Sequence, residues 1–82
     1  MTTYTVVNND GARSRLRFAG WRNGRAYLVS DGAASYLADP YSGRVYGVES
    51  TAGISLRLVE GAWRRLHAEA ERLRTLSEAS HG

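Results

Sequence analysis

Five arginines lie between positions 13 and 25 (Arg13, Arg15, Arg17, Arg22 and Arg25), with no acid or lysine among them and a single tryptophan, Trp21, in their midst. A guanidinium group is a planar, permanently charged fork that matches carboxylate or phosphate oxygens. Spacing at every second residue places Arg13, Arg15 and Arg17 on one side of a β-strand, as a basic stripe. Residues 11–30 carry +5 in a chain whose net charge is +3, so the excess is a local patch rather than a general bias. All eleven basic residues are arginine; GC-rich genomes favour the same usage.

Other chemistry is sparse. His67 and Glu71 are one helical turn apart, a spacing that can orient an imidazole, but a lone histidine beside a glutamate reads as a bystander. His81 falls in the terminal residues, too far away to complete a pair. Asp31, Asp39 and Glu49 are scattered through turns and a strand end without the convergence an acid/base couple needs. There is no cysteine, which excludes disulfides and thiolate chemistry. No glycine-rich phosphate loop is present. The sequence therefore predicts a non-enzymatic protein with no metal site and no cofactor.

The elements that must carry the arginines read as strands first and a helix last. Residues 4–8 form a short β-branched run followed by the turn formers Asn8, Asn9, Asp10 and Gly11. Residues 14–30 form a hairpin around Asn23-Gly24, a pair suited to the two positive φ values of a type I′ turn. Such a turn pairs Arg22 with Arg25, Trp21 with Ala26, Gly20 with Tyr27 and Phe18 with Val29. Leu16, Phe18, Gly20, Tyr27 and Val29 then make the core face. Arg13, Arg15, Arg17, Ala19, Trp21, Ala26 and Leu28 make the opposite one.

A short strand over 35–38 precedes the turn Asp39-Pro40-Tyr41-Ser42-Gly43, and 44–50 runs back as another strand. Gly43-Arg44-Val45-Tyr46-Gly47-Val48 echoes Gly24-Arg25-Ala26-Tyr27-Leu28-Val29, which assigns Tyr46 and Val48 to the core face. A turn follows at 51–53. Residues 54–58 alternate as a last strand, or else begin the helix. From about 59 the period becomes helical, with Val59, Ala62, Trp63, Leu66, Ala70, Leu73 and Leu76 on one stripe, and residues 79–82 read as a frayed tail.

The expected architecture is one α+β domain over 1–82: an antiparallel β-meander of five or six short strands packed on a C-terminal helix through Trp63, Leu66, Ala70 and Leu73. A small closed barrel with an appended helix is the alternative. The absence of a basic leader and of any long apolar run predicts a cytoplasmic protein away from membranes. The small size leaves homodimerisation open.

Arg13, Arg15, Arg17, Trp21, Arg22, Arg25 and Leu28 are the expected partner-binding residues. Tryptophan and arginine on one face point to a larger protein partner, such as a nucleic-acid-handling complex. The chain then reads as a small non-catalytic interaction module, of the kind phages and mobile elements encode to inhibit host machinery, anti-CRISPR proteins included. The alternative is direct DNA or RNA binding, with phosphates on the arginines and bases stacked on Trp21 or Tyr41.

Overall fold

A computed structural model describes residues 1–48 and 55–81, the last three as backbone only. Six strands run in chain order: β1 (Thr3–Val7), β2 (Arg13–Arg22), β3 (Arg25–Val29), β4 (Ser35–Ala38), β5 (Arg44–Gly47) and β6 (Leu56–Leu58). Each pairs antiparallel with the next, and β6 returns to β1 through Val6 opposite Leu58 and Val7 opposite Arg57. The meander thus closes into a barrel, a step the expected open, helix-covered sheet did not include. Closure gives every strand a partner on both sides and removes the exposed edges that otherwise invite aggregation. Leu56–Leu58 is a strand and not the start of the helix. The strand expected over 44–50 ends at Gly47, and its last two residues, the turn at 51–53 and Ile54 lie outside the described residues.

The turn residues behave as their chemistry dictates. Asn23 and Gly24 both take positive φ, 50° and 79°, and Arg22 faces Arg25, Trp21 faces Ala26 and Gly20 faces Tyr27. The register then slips by one, because Ala19 is left without a partner and Phe18 pairs with Leu28 instead of Val29. Gly20 sits at φ +132°, a region open to glycine and strained for side chains that carry a Cβ. An inserted residue of this kind is a β-bulge, and it reverses which side chains point inward beyond it.

This bulge corrects the expected faces. Ala26 and Leu28 are fully buried, at 0% exposure, while Tyr27 and Val29 lie on the outer side. Trp21 turns inward and meets Phe18 edge to face, with centroids 5.6 Å apart. Phe18 in turn meets Tyr4 at 6.2 Å. The interior is completed by Val6, Leu16, Ala38, Val45 and Leu58. Tyr46 and Val48 share the outward parity of Tyr27 and Val29 and are exposed, so the echoed hairpins match each other on the outer face, not in the core.

The helix α1 (Glu60–His81) seals this core with Ala62 and Leu66, and Ala70 is buried one turn further on. It continues to His81, into the residues read as a frayed tail. Arg65 anchors it to β1, donating a hydrogen bond to the Thr3 carbonyl at 3.1 Å and lying 5.1 Å from the Tyr4 ring centroid. Twenty-two residues span about 33 Å, more than the 24 Å width of the molecule. The apolar stripe consequently outruns the barrel: Leu73 is half-buried and Leu76 is 54% exposed. Trp63 also leaves the core, resting its ring on Gly43 and donating its indole N–H to the Pro40 carbonyl at 2.9 Å.

Two outcomes test this packing. Gly24 and Gly43 have matched φ values, +79° and +76°, but a Cβ on Gly24 meets open space and one on Gly43 stands 3.0 Å from the Trp63 ring. In chemical denaturation, Gly24→Ala should cost about 1 kcal/mol and Gly43→Ala distinctly more; equal losses would show that Trp63 does not bear on Gly43. Burial raises the Tyr4 phenol above its ordinary value of 10.0, with the Arg65 charge opposing the rise and Glu69 adding to it. A raised folded value means stability is fully present below about pH 10 and is lost as the pH climbs through the folded value. Ultraviolet titration should show a phenol that ionises above its ordinary value together with unfolding and that is missing from Tyr4→Phe; a titration unchanged by that substitution would contradict the burial of Tyr4.

Candidate functional site

In-out alternation on a closed barrel sends one set of side chains to solvent from every strand. All seven arginines outside the helix (Arg13, Arg15, Arg17, Arg22, Arg25, Arg44 and Arg57) belong to that exposed set. On β2, Arg13, Arg15 and Arg17 follow one another at steps of roughly 6.8 Å, opposite Val7, Thr5 and Thr3 of β1. Val7 also faces Arg57, which faces Arg44. Arg44, Arg57, Val7 and Arg13 thus form a row across four strands, and Arg15 and Arg17 continue it along β2.

Arg44 and Arg57 were outside the candidate set drawn from sequence, because only the β6–β1 ladder brings them beside Arg13. Their alternation with inward Val45, Leu56 and Leu58 was the available signal. Arg22 and Arg25 face each other at the hairpin tip. The Arg22 guanidinium lies over the Tyr27 ring, 4.0 Å from its centroid, and the Tyr27 hydroxyl donates to Ser35 Oγ at 2.7 Å. The five arginines of the expected set are therefore all exposed on the outer side, Arg13, Arg15 and Arg17 along one half of β2 and Arg22 with Arg25 at the hairpin tip. Leu28 is not, having no exposed surface, and Trp21 packs inward and shows only part of its ring at a cleft beside the helix.

The helix handles its charge in the opposite way. Arg64 pairs with Glu60, Arg72 with Glu69, and Arg74 with Glu71 and Glu78. Hydrogen bonding to Arg72 holds the Glu69 carboxyl below its ordinary value, and the hydrogen bonds that Arg74 donates to Glu78 and Tyr41 raise that of Arg74. Among the described residues, no acid pairs with any of the seven barrel arginines. Asp39, at the start of the turn that leads into Arg44, spends one carboxylate oxygen on the backbone N–H groups of Tyr41 and Ser42. Among the described residues the barrel arginines thus stand without ion-pair partners, while the helix carries four arginines and four glutamates.

A shallow cleft of about 330 Å3 between the β4–β5 turn and the helix is lined by Tyr41, Glu60, Trp63, Arg64 and His67. His67 stands edge to face on Tyr41 at 5.4 Å and lies 3.8 Å from Glu71. Among the described residues no three histidine, aspartate or glutamate side chains converge as a metal site would need, and no helix is long and apolar enough to cross a membrane. Comparison with known protein families, with curated proteins and with solved structures finds no match for this chain.

Like charges directly opposite each other on neighbouring strands destabilise a sheet, and Arg44–Arg57 is such a pair. Arg57→Thr should therefore raise stability by about 0.2–1 kcal/mol at low salt, and the gain should shrink as salt screens the repulsion. Thermal unfolding across a salt series measures this. A loss of stability at every salt concentration would mean that Arg57 has a structural partner.

Proposed function

We propose that this chain is a non-catalytic nucleic-acid-binding protein that holds the phosphate backbone on the outer surface of its barrel. The observation that carries the reading is the pairing of arginine against arginine, Arg22 with Arg25 and Arg44 with Arg57, with no acid bridging either pair among the described residues. Sheets gain nothing from such pairs. A polyanion that lies across them converts the repulsion into attraction, and local rules are most often broken where a surface serves binding.

The neighbours of Arg13, Arg15 and Arg17 fit the same reading. Thr3, Thr5 and Val7 flank them, small side chains that offer no aromatic anchor of the kind that dominates protein interfaces but leave phosphate oxygens free to approach. Contacts of this type are sequence-independent and strongly salt-dependent. A second reading, an acidic protein partner, draws support from the outward row Tyr27, Leu37 and Tyr46 beside Arg22, where aromatic and guanidinium groups adjoin. The inhibitor role considered from sequence would fall under that second reading.

Fluorescence anisotropy of a labelled oligonucleotide over a salt series separates the two. Engagement of about three to five phosphates gives a log–log slope of about −2 to −5. Replacing Arg13, Arg15 and Arg17 together by alanine should weaken binding and flatten the slope by about 2 to 3, with the fold unchanged. No binding at low salt would overturn the nucleic-acid reading and favour the protein partner.

A further inference from the structure

Tyr41 projects from the β4–β5 turn with 51% of its surface exposed, and its ring is a wall shared by two clefts. One is the cleft beside Trp63; the other, of about 340 Å3, is lined by Trp21, Gly24, Tyr41, Ala70, Leu73 and Arg74. Each therefore offers a tryptophan, the common tyrosine and an arginine. The rings are held in advance: Trp63 by Gly43 and the Pro40 carbonyl, Trp21 by Phe18, and Tyr41 by His67.

Charge is arranged around these clefts in two zones. The helix wall is neutral, because Glu60 is tied to Arg64 and Glu71 lies within 4.0 Å of both His67 and Arg74. Arginines without an acid partner among the described residues adjoin the clefts along the chain. Arg25 follows Gly24, a lining residue of one cleft, with Arg22 opposite it, and Arg44 follows Gly43, on which Trp63 rests, with Arg57 opposite it. The complementary ligand carries flat rings at intervals along an anionic backbone.

Resting on the nucleic-acid reading above, we propose that the ligand is single-stranded, with one unstacked base in each cleft on either side of Tyr41 and the adjoining phosphates on Arg25 and Arg44. A duplex keeps its bases paired and stacked, so it can use the arginines but not the clefts. Stacking of a base on an aromatic side chain is sequence-tolerant because every base has a π-face. The Glu60 carboxylate on the wall of the Trp63 cleft can accept from the exocyclic amino group of cytosine or adenine. From Arg44 the strand continues along the row through Arg57 to Arg13, Arg15 and Arg17.

Anisotropy titrations of a labelled single strand and of the same sequence as a duplex, at one salt concentration, test the proposal with the unaltered chain, Tyr41→Ala and Tyr41→Phe, each checked for fold by circular dichroism. The unaltered chain should prefer the single strand by about tenfold or more, and Tyr41→Ala should lose most of that preference, about tenfold for the lost stacking. Duplex affinity and salt slope should not move, and Tyr41→Phe should retain the preference. Equal affinity for both forms, or a preference that survives Tyr41→Ala, would overturn the base clefts while leaving phosphate binding by the arginines intact. Absence of binding to either form would overturn both.

Discussion

A β-strand has two faces, and the side chains of a closed barrel have only an inside and an outside. The unpaired Ala19, with Gly20 at φ +132° beside it, therefore decides more than its own position. Before it, Leu16 and Phe18 point inward; after it, Trp21 takes the inward place and Arg22 the outward one. Without the extra residue, Trp21 would stand in solvent and Gly20 would face the core. One bulge thus completes the Tyr4–Phe18–Trp21 aromatic chain and joins Arg22 to the same outer surface as Arg17. Bulges also bend a strand, and β2, at ten residues the longest, must bend to pair with β1 along one half and β3 along the other.

Charge segregation follows from that geometry together with the helix. An isolated helix gains a few tenths of a kcal/mol from each i to i+3 or i+4 ion pair, and α1 uses this spacing repeatedly, so Arg64, Arg72 and Arg74 are answered locally while Arg65 reaches across to β1. Strands lack that option unless an acid stands directly across the ladder. Here the ladder places arginine opposite arginine twice, and threonine or valine opposite the rest. The molecule consequently carries its excess positive charge on the barrel, at the cost of some stability in a small domain that has little to spare.

Much of the fold was legible because turn chemistry is local. Asn23-Gly24 announced the hairpin and its first three pairs, Asp39 to Gly43 announced the β4–β5 turn, and the helical stripe from Ala62 to Ala70 announced the element that seals the core. Parity past Ala19 was not legible, since Arg-Leu-Arg-Phe-Ala-Gly-Trp alternates without a visible break and only packing reveals where one residue is skipped. The outward Tyr27 and Tyr46 were misread for that reason. Closure was legible only as the alternative architecture, because the β6–β1 ladder joins residues some fifty positions apart, and the row from Arg44 to Arg13 exists only once it forms. The arginines nearest in sequence were found; those brought in by topology were not.

The turn that sequence reveals most clearly is also the one that organises the candidate site. The Asp39 carboxylate caps the backbone of Tyr41 and Ser42, the Gly43 amide donates to the Asp39 carbonyl at 2.9 Å, and Leu58 donates to the Gly43 carbonyl at 2.8 Å. Buried Pro40 supplies the carbonyl that fixes the Trp63 indole, and the missing side chain of Gly43 gives that indole room to lie flat. Tyr41, alone among the turn's large side chains, is left projecting, between Trp63 on one side and Trp21 on the other. Constraint in the backbone positions the ring: its turn neighbours are engaged by the barrel or the helix, and the tyrosine, steadied by His67 edge to face and by Arg74, keeps about half of its surface exposed. Arg44 leaves this turn directly into the row of barrel arginines, which makes the turn the junction between an aromatic surface and a cationic one.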